Sequence, residues 1–259
     1  MATKSIKQIL ADGELVRLFS IGRVVSPVLF DMFSFAGGFD AVWLDQEHGG
    51  LTYEQVCWAT TAARAGGFDS FVRMAVTDYS AVTQNLEAGA GGVMAARVES
   101  ADHAEQFVQW TKFTPRGNRG MNTSGRDSHY TFKSQNDFAV DSNRDHFVAI
   151  QIETLGALDD AEAIAAIDGV DLLFVGPSDL SQALGHLGQL DHADTWAGID
   201  RVAAACARHG KHWGIVPAGP DYAAKAIDKG CRMVSFGGDT VVLRRGLEAI
   251  KESFAQWVG

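Results

Sequence analysis

The sequence predicts an α/β fold, a single (β/α)8 TIM barrel, and three observations carry that prediction. Five short apolar runs, AVWLDQEH (41–48), SFVRM (70–74), FVAIQIE (147–153), LLFVGPSD (172–179) and HWGIVPA (212–218), each precede a segment with helical spacing. The runs are continuous rather than alternating, which is the pattern of parallel strands buried on both faces. The 259 residues hold about eight such strand–helix units, an ordinary size for this barrel. An open doubly wound sheet shares the alternation, but eight parallel strands with outer helices close naturally.

In order, the first strand is VRLFSIG (16–22), with a helix through SPVLFDMFSFAG. AVWLDQEH leads to the helix at 53–66, SFVRM to that at 79–89, and GGVMAARV (91–98) to that at 101–113. FVAIQIE precedes a helix at 158–167, LLFVGPSD one at 195–210 and HWGIVPA one at 221–230; MVSFGGD (233–239) closes the series before a last helix. Gly66, Gly89, Gly210 and Gly230 stand where left-handed caps end helices, and Ser100 with Asp102 suits a helix start. No Pro/Gly/Ser linker divides the chain, so residues 1–259 form one domain. Residues 114–146 interrupt the rhythm with a long polar stretch carrying Arg116, Arg119 and Arg126. Such stretches serve as lids, binding loops, subunit contacts or solvated insertions.

A net charge of −10, from 32 acidic and 22 basic residues, leaves no basic excess for a nucleic-acid partner. An anionic substrate would need a local reversal of field, from a metal ion and an arginine. Cys57, Cys206 and Cys231 form no CxxC pair and read as reduced thiols. No run nears the length of a membrane span, and the N-terminus has no signal-length apolar stretch. The chain reads as cytoplasmic, with small-molecule partners and no membrane or nucleic acid.

In such a barrel the carboxyl ends of all strands surround one mouth, where active sites lie. His48, Arg73, Glu153 and Asp179 are therefore candidates for one pocket. Glu153 and Asp179 end apolar strands, where a carboxylate is costly unless paired or metal-bound. They either bind a hard divalent cation or serve as helix caps and salt-bridge partners. Gly176 and Pro177 set a turn that aims the N–H groups of Ser178 and Asp179 outward, a site for a carboxylate or phosphate, or simply a cap. His48, beside Asp45 and Glu47, is a general base, a metal ligand or a hydrogen-bonded residue, and Gly49 and Gly50 leave room for a substrate. Arg73 needs an anion; Glu87 or Asp45 supplies it, or Arg73 stabilises an oxyanion. FGGD (236–239) suggests a phosphate site near the last strand.

Taken together, DQEH (45–48), VRM (72–74), QIET (151–154), VGPSDLSQALG (175–185) and TPRGNRG (114–120) resemble the HpcH/HpaI aldolase family, from about residue 15 to 250. The resemblance implies a class II aldolase that joins and splits a 2-oxo acid (pyruvate or hydroxypyruvate) and an aldehyde, using Mg²⁺, Mn²⁺ or Co²⁺. It implies Glu153 and Asp179 as metal ligands, His48 as acid/base, Arg73 as enolate stabiliser, and Gln151 with the Ser178–Asp179 backbone as holders of the 2-oxo acid. It further implies that Glu87 supports the histidine, from a neighbouring subunit, where relatives carry a shorter Asp, and that the chain is a homo-oligomer, a hexamer. Gln46 stands where the family often has Gly. No lysine ends a strand, which argues against a Schiff-base aldolase. An acyl-CoA lyase of the same fold and a non-catalytic 2-oxo acid binder are the alternatives.

Overall fold

Eight parallel strands pair in sequence order and close on themselves. They are β1 (Val16–Ile21), β2 (Ala41–Asp45), β3 (Asp69–Ala75), β4 (Gly92–Ala96), β5 (Phe147–Ile152), β6 (Leu172–Val175), β7 (His212–Ile215) and β8 (Met233–Gly238). The computed structural model describes residues 4–257, so residues 1–3 and 258–259 of the expected domain lie outside the described residues. No helix among the described residues is long and apolar enough to cross a membrane.

Alternation along each strand sorts its side chains into two cores. Val42 and Leu44, Val72, Val148, Ile150 and Ile152, and Leu173 and Val175 face outward into the layer shared with the helices. Trp43, Phe71, Phe147, Ala149 and Phe174 face inward and fill the barrel. Trp43 stacks on Phe71 with ring centroids 6.0 Å apart and meets Phe174 edge-on at 5.4 Å; Phe71 meets Phe147 at 5.8 Å. Burial of each such ring is worth about 1.5–3 kcal/mol. The next inward positions beyond this apolar layer are Asp45, Arg73, Gln151 and Glu153. The site is thus the last rung of the barrel's own interior stripe.

The helices are α1 (Ile6–Ala11), α2 (Pro27–Ala36), α3 (Tyr53–Ala65), α4 (Tyr79–Glu87), α5 (Ala101–Thr111), α6 (Gln135–Asp145), α7 (Leu155–Asp159), α8 (Ala161–Ala166), α9 (Pro177–Ala183), α10 (Ala193–His209), α11 (Pro220–Asp228) and α12 (Asp239–Ser253). Ser5 and Gln8 form a capping box on α1, whose Ile6, Ile9 and Leu10 join the inner core and plug the barrel's amino-terminal end. Ser100 accepts from His103 N–H at 3.2 Å and starts α5, with Asp102 in the first turn. Gly210, Gly89 and Gly230 are left-handed as expected; after α3 that role falls to Gly67, not Gly66. Cys206 and Cys231 are buried free thiols pushed up to about 12 by burial, and Cys57 is free.

The 114–146 segment packs away from the mouth of its own barrel. Its last third is α6, capped by Ser134 and anchored by buried Phe138. Arg119 pairs with Asp127, both side chains almost wholly buried, and sits 4.9 Å from the Phe113 ring and 5.5 Å from the Phe138 ring. The segment lies against α4, where Arg126 N–H donates to Glu87 O at 2.8 Å and Gly120 N–H donates to the Tyr79 hydroxyl. None of its described residues lines the barrel mouth.

Candidate active site

The carboxyl ends of the strands surround a cavity of about 530 Å³, lined by Asp45, His48, Arg73, Gln151, Gly176, Pro177, Ser178 and Asp179 among others. Sequence positions from 45 to 179 meet here because neighbouring strands are in register: Asp45 is paired with Arg73, and Gln151 with Phe174.

Arg73 is the centre of the network and is buried. Its Nε and Nη2 donate to the two oxygens of Asp45 at 3.0 and 2.8 Å, a bidentate pair that fixes the plane of the guanidinium. Its Cζ lies 4.5 Å from the centroid of the Trp43 ring. Its Nη1 stands 3.2 Å from Glu47 Oε2 and 3.5 Å from Gln151 Oε1. Gln151 Nε2 in turn donates to Glu153 Oε2, and Glu153 Oε1 accepts from Arg97 N–H at 2.9 Å. Burial pushes the Glu153 carboxyl above the usual carboxylate range, and the charges of Glu47 and Asp179 add to the effect; Arg97 N–H and Arg73 oppose it.

Asp45 therefore serves Arg73. It also accepts from Glu47 N–H at 3.1 Å and from His48 N–H at 3.4 Å, but its side chain does not meet the imidazole. The carboxylate beside the His48 ring is Glu47, with Oε2 3.8 Å from Nε2. His48 is exposed at the mouth. Gly49 follows it for a steric reason: a Cβ there would lie 2.2 Å from Asp45 O and 2.7 Å from Gly22 O. The turn after β2 is pressed on the turn after β1, so this glycine serves backbone packing while also lining the cavity.

Pro177 opens α9, Gly176 precedes it, and no side chain caps the helix. The first-turn N–H groups of Ser178 and Asp179 have no partner within the helix. The FGGD turn carries a different device. Asp239 Oδ2 accepts from the N–H groups of Gly22, Arg23 and Val24 at 3.0, 2.7 and 2.6 Å, fastening the cavity's rim to α12. Those donors hold Asp239 below the usual carboxylate range against the opposing effect of burial. Sequence reasoning gave this fastening no signal.

A model of HpcH/HpaI aldolase/citrate lyase matches residues 25–245. The chain belongs to the HpcH/HpaI aldolase/citrate lyase family. It is 31% identical over 231 residues to a 5-keto-4-deoxy-D-glucarate aldolase of Klebsiella pneumoniae, covering 89% of each chain. Among solved structures it is 29% identical to an HpcH/HpaI aldolase from Desulfitobacterium hafniense DCB-2 (TM-score 0.87, 96% of this chain and 97% of that one). It is 30% identical to an HpcH/HpaI aldolase/citrate lyase family protein from Burkholderia cenocepacia J2315 (TM-score 0.87, 96% and 98%). This member of the HpcH/HpaI family is an enzyme, a carbon–carbon lyase.

Two expected site residues of this family member do not line that cavity: Glu153 is buried behind Gln151, whose amide it accepts from, and Glu87 stands apart within a single chain. Glu87 ends α4, does not line the cavity, and accepts from Asn122 Nδ2 at 2.9 Å. The 114–146 segment, folded against that helix, takes its carboxylate. Gln46 also turns away from the mouth: Asn85 Nδ2 donates to its Oε1 at 2.6 Å, and its Nε2 donates to Leu51 O at 3.0 Å. No lysine lines the cavity among the described residues. Lys112, lowered to about 8 by burial, is spent on Asn143 O and His146 O at the other end of α5.

The acidic groups suit a hard divalent cation. Glu153 and Asp179 offer only oxygen, the donor such ions prefer. Glu47 Oε2 is buried and, although 3.2 Å from the Arg73 guanidinium, makes no hydrogen bond. Burial pushes Glu153 up, and the charges of Glu47 and Asp179 add to it; a cation would relieve that added repulsion.

Proposed function

We propose that the chain is a class II aldolase acting on a 2-oxo acid, pyruvate or hydroxypyruvate, and an aldehyde, with Mg²⁺, Mn²⁺ or Co²⁺ held by Glu153 and Asp179. The observation that carries this reading is the Arg73 guanidinium, clamped by Asp45 and facing Gln151 beside Glu153. When bound, the cation supplies Lewis acidity toward the keto oxygen. Arg73 adds a fixed positive charge where the enolate oxygen develops. The first-turn amides of Ser178 and Asp179 receive the carboxylate of the 2-oxo acid. His48, open to the mouth and backed by Glu47, takes the proton of the 4-hydroxyl in the cleavage direction and returns it in synthesis.

The rim supports a second acidic group on the substrate. Arg23 and Arg245 line the cavity, and neither has an ion-pair partner among the described residues. In a chain of net charge −10, two free cations at one mouth favour an anionic acceptor end. A 5-keto-4-deoxy sugar diacid, the kind of substrate named for the Klebsiella relative, would meet metal and amides at one end and these arginines at the other.

The test is pyruvate methyl-proton exchange in D₂O and cleavage of such a diacid, with and without excess EDTA. Loss on chelation and recovery with Mn²⁺ or Mg²⁺ are expected; full turnover in EDTA contradicts the reading, and turnover of malyl-CoA instead assigns the acyl-CoA lyase alternative. A geometric check accompanies it. A Cβ on Gly176 would lie 2.8 Å from both Gln151 Nε2 and Glu153 Oε2. Gly176→Ala should therefore weaken Mn²⁺ binding by about 10–100-fold, as displacement of groups orienting metal ligands does, with the fold retained by circular dichroism.

We also infer a cytoplasmic homo-oligomer. Asp239 is the one buried residue of α12. That helix carries an exposed apolar stripe of Leu243, Leu247 and Ile250, continued by Phe254 and Trp257, and α2 exposes Val28, Met32 and Phe35. Stripes of this kind mark contact surfaces, and a second copy of the chain is the occupant proposed.

A further inference from the structure

The segment joining α9 to α10 carries a feature that the aldol reaction does not use. We propose that His186, His192 and Asp194 form a second metal site, distinct from the all-oxygen one in the barrel and suited to a borderline transition ion such as Zn²⁺. One ligand atom from each of the three lies within 4.8 Å of the other two, the one such group of three among the described residues.

The segment is built to hold these side chains together. Gly185 and Gly188, both at positive φ, fold it back on itself. Backbone bonds then run from His186 N to Ser181 O at 2.7 Å, from Gln189 N to His186 O at 2.8 Å, and from His192 N to Gln189 O at 3.0 Å. Trp196 Nε1 donates to Asp191 Oδ1 at 3.1 Å, and the Tyr222 hydroxyl to Leu190 O at 3.3 Å. The segment is therefore pinned at both ends, and a site on rigid backbone needs little ordering when the ion arrives.

The spacing fits once a ring turns: the two imidazoles stack with centroids 3.5 Å apart and planes 19° from parallel, so one of them must rotate about its side-chain bonds to bring both nitrogen lone pairs onto a single ion. His186 Nε2 is 2.8 Å from Asp194 Oδ2, and His192 Nδ1 is 3.6 Å from the same oxygen. Tetrahedral zinc with bonds near 2.0–2.1 Å requires ligand atoms about 3.4 Å apart, and the two observed separations bracket that value. Two imidazole nitrogens and one carboxylate oxygen are a borderline donor set, with a fourth position left to water. His192 Nδ1 now accepts from Asp194 N–H at 3.2 Å as the N-cap of α10; coordination through Nδ1 would replace that bond. The carboxylate of Asp194 offsets the positive end of the helix. The bound ion would staple the end of α9 to the start of α10, a few residues beyond Ser178 and Asp179.

The experiment titrates Zn²⁺ into the full-length protein held in excess Mg²⁺, followed by calorimetry, with Cu²⁺ electron paramagnetic resonance as a second readout. The wild type should bind Zn²⁺ at a site that persists in Glu153→Gln and weakens at least tenfold in His186→Ala and in His192→Ala. Bound Cu²⁺ should show imidazole nitrogen coupling that each histidine variant diminishes, and both variants should keep Mg²⁺-supported turnover. Zn²⁺ binding unchanged in both histidine variants, or lost entirely with Glu153→Gln, would overturn the proposal.

Discussion

Arg73→Ala should lower kcat/KM by about 10²–10³-fold, the usual effect of removing one preorganised donor to a developing oxyanion. The loss should fall on kcat and not on KM, because the interaction strengthens as charge builds on the enolate oxygen. A structural cost accompanies it. Asp45 and Glu47 both lean on the guanidinium, and removing one partner of a buried ion pair costs about 3–5 kcal/mol. Arg73→Lys separates the two effects. A lysine keeps a charge for Glu47 but cannot grip Asp45 with two parallel bonds. It should recover stability in thermal melts while leaving enolate formation, read by pyruvate proton exchange, well below wild type. Exchange in Arg73→Ala within threefold of wild type would remove this residue from the chemistry.

Glu153→Ala should abolish metal-supported turnover and weaken Mn²⁺ binding by more than about 100-fold, beyond the 10–100-fold typical of groups behind the ligands. The pH dependence has a defined sign. Burial and the neighbouring carboxylates raise the Glu153 carboxyl. A proton must leave before a cation is coordinated. Affinity should thus begin to fall at a pH above the ordinary carboxylate range and drop about tenfold per unit below it, where one proton is displaced per ion. The ion-free chain follows the same linkage. A carboxyl raised by folding favours the folded state at low pH, and that contribution is lost as pH rises through the raised value. Melting in Mn²⁺ and in EDTA should diverge progressively across that window; parallel curves would exclude Glu153 as the ligand.

Most of the barrel could be read from the sequence because one pattern specified two things. Within VWLD, FVR and AIQIE every second residue faces the interior, and the polar residues are the last of each inward set. Strand and site share a single periodicity, so finding the strand ends found Arg73 and Glu153, whereas Gln151 comes only through the family resemblance and Asp45 only as a neighbour of His48 and an anion for Arg73. The sequence did not reveal which carboxylate serves which base. Asp45 and Glu47 are two residues apart, yet the bidentate geometry of Arg73 claims the first and leaves the second beside His48. Glu87 sits in a helix whose orientation was clear, but its partner Asn122 comes from a segment without periodicity. That segment also hid α6, which buries little beyond Phe138 and Ser142 and so shows almost no apolar stripe. Helix α9 was legible only as a helix start at Ser178 and Asp179; its seven residues, beginning at Pro177, are too few to show a period.

The three amide bonds to Asp239 join the catalytic mouth to the first residue of the least covered helix. If a second copy covers that helix as proposed, association and turnover would be mechanically linked through one carboxyl group. On the proposed assembly and substrate, dilution to the point of dissociation should loosen the Arg23 turn first, so that turnover of diacids is lost while the circular dichroism spectrum stays native.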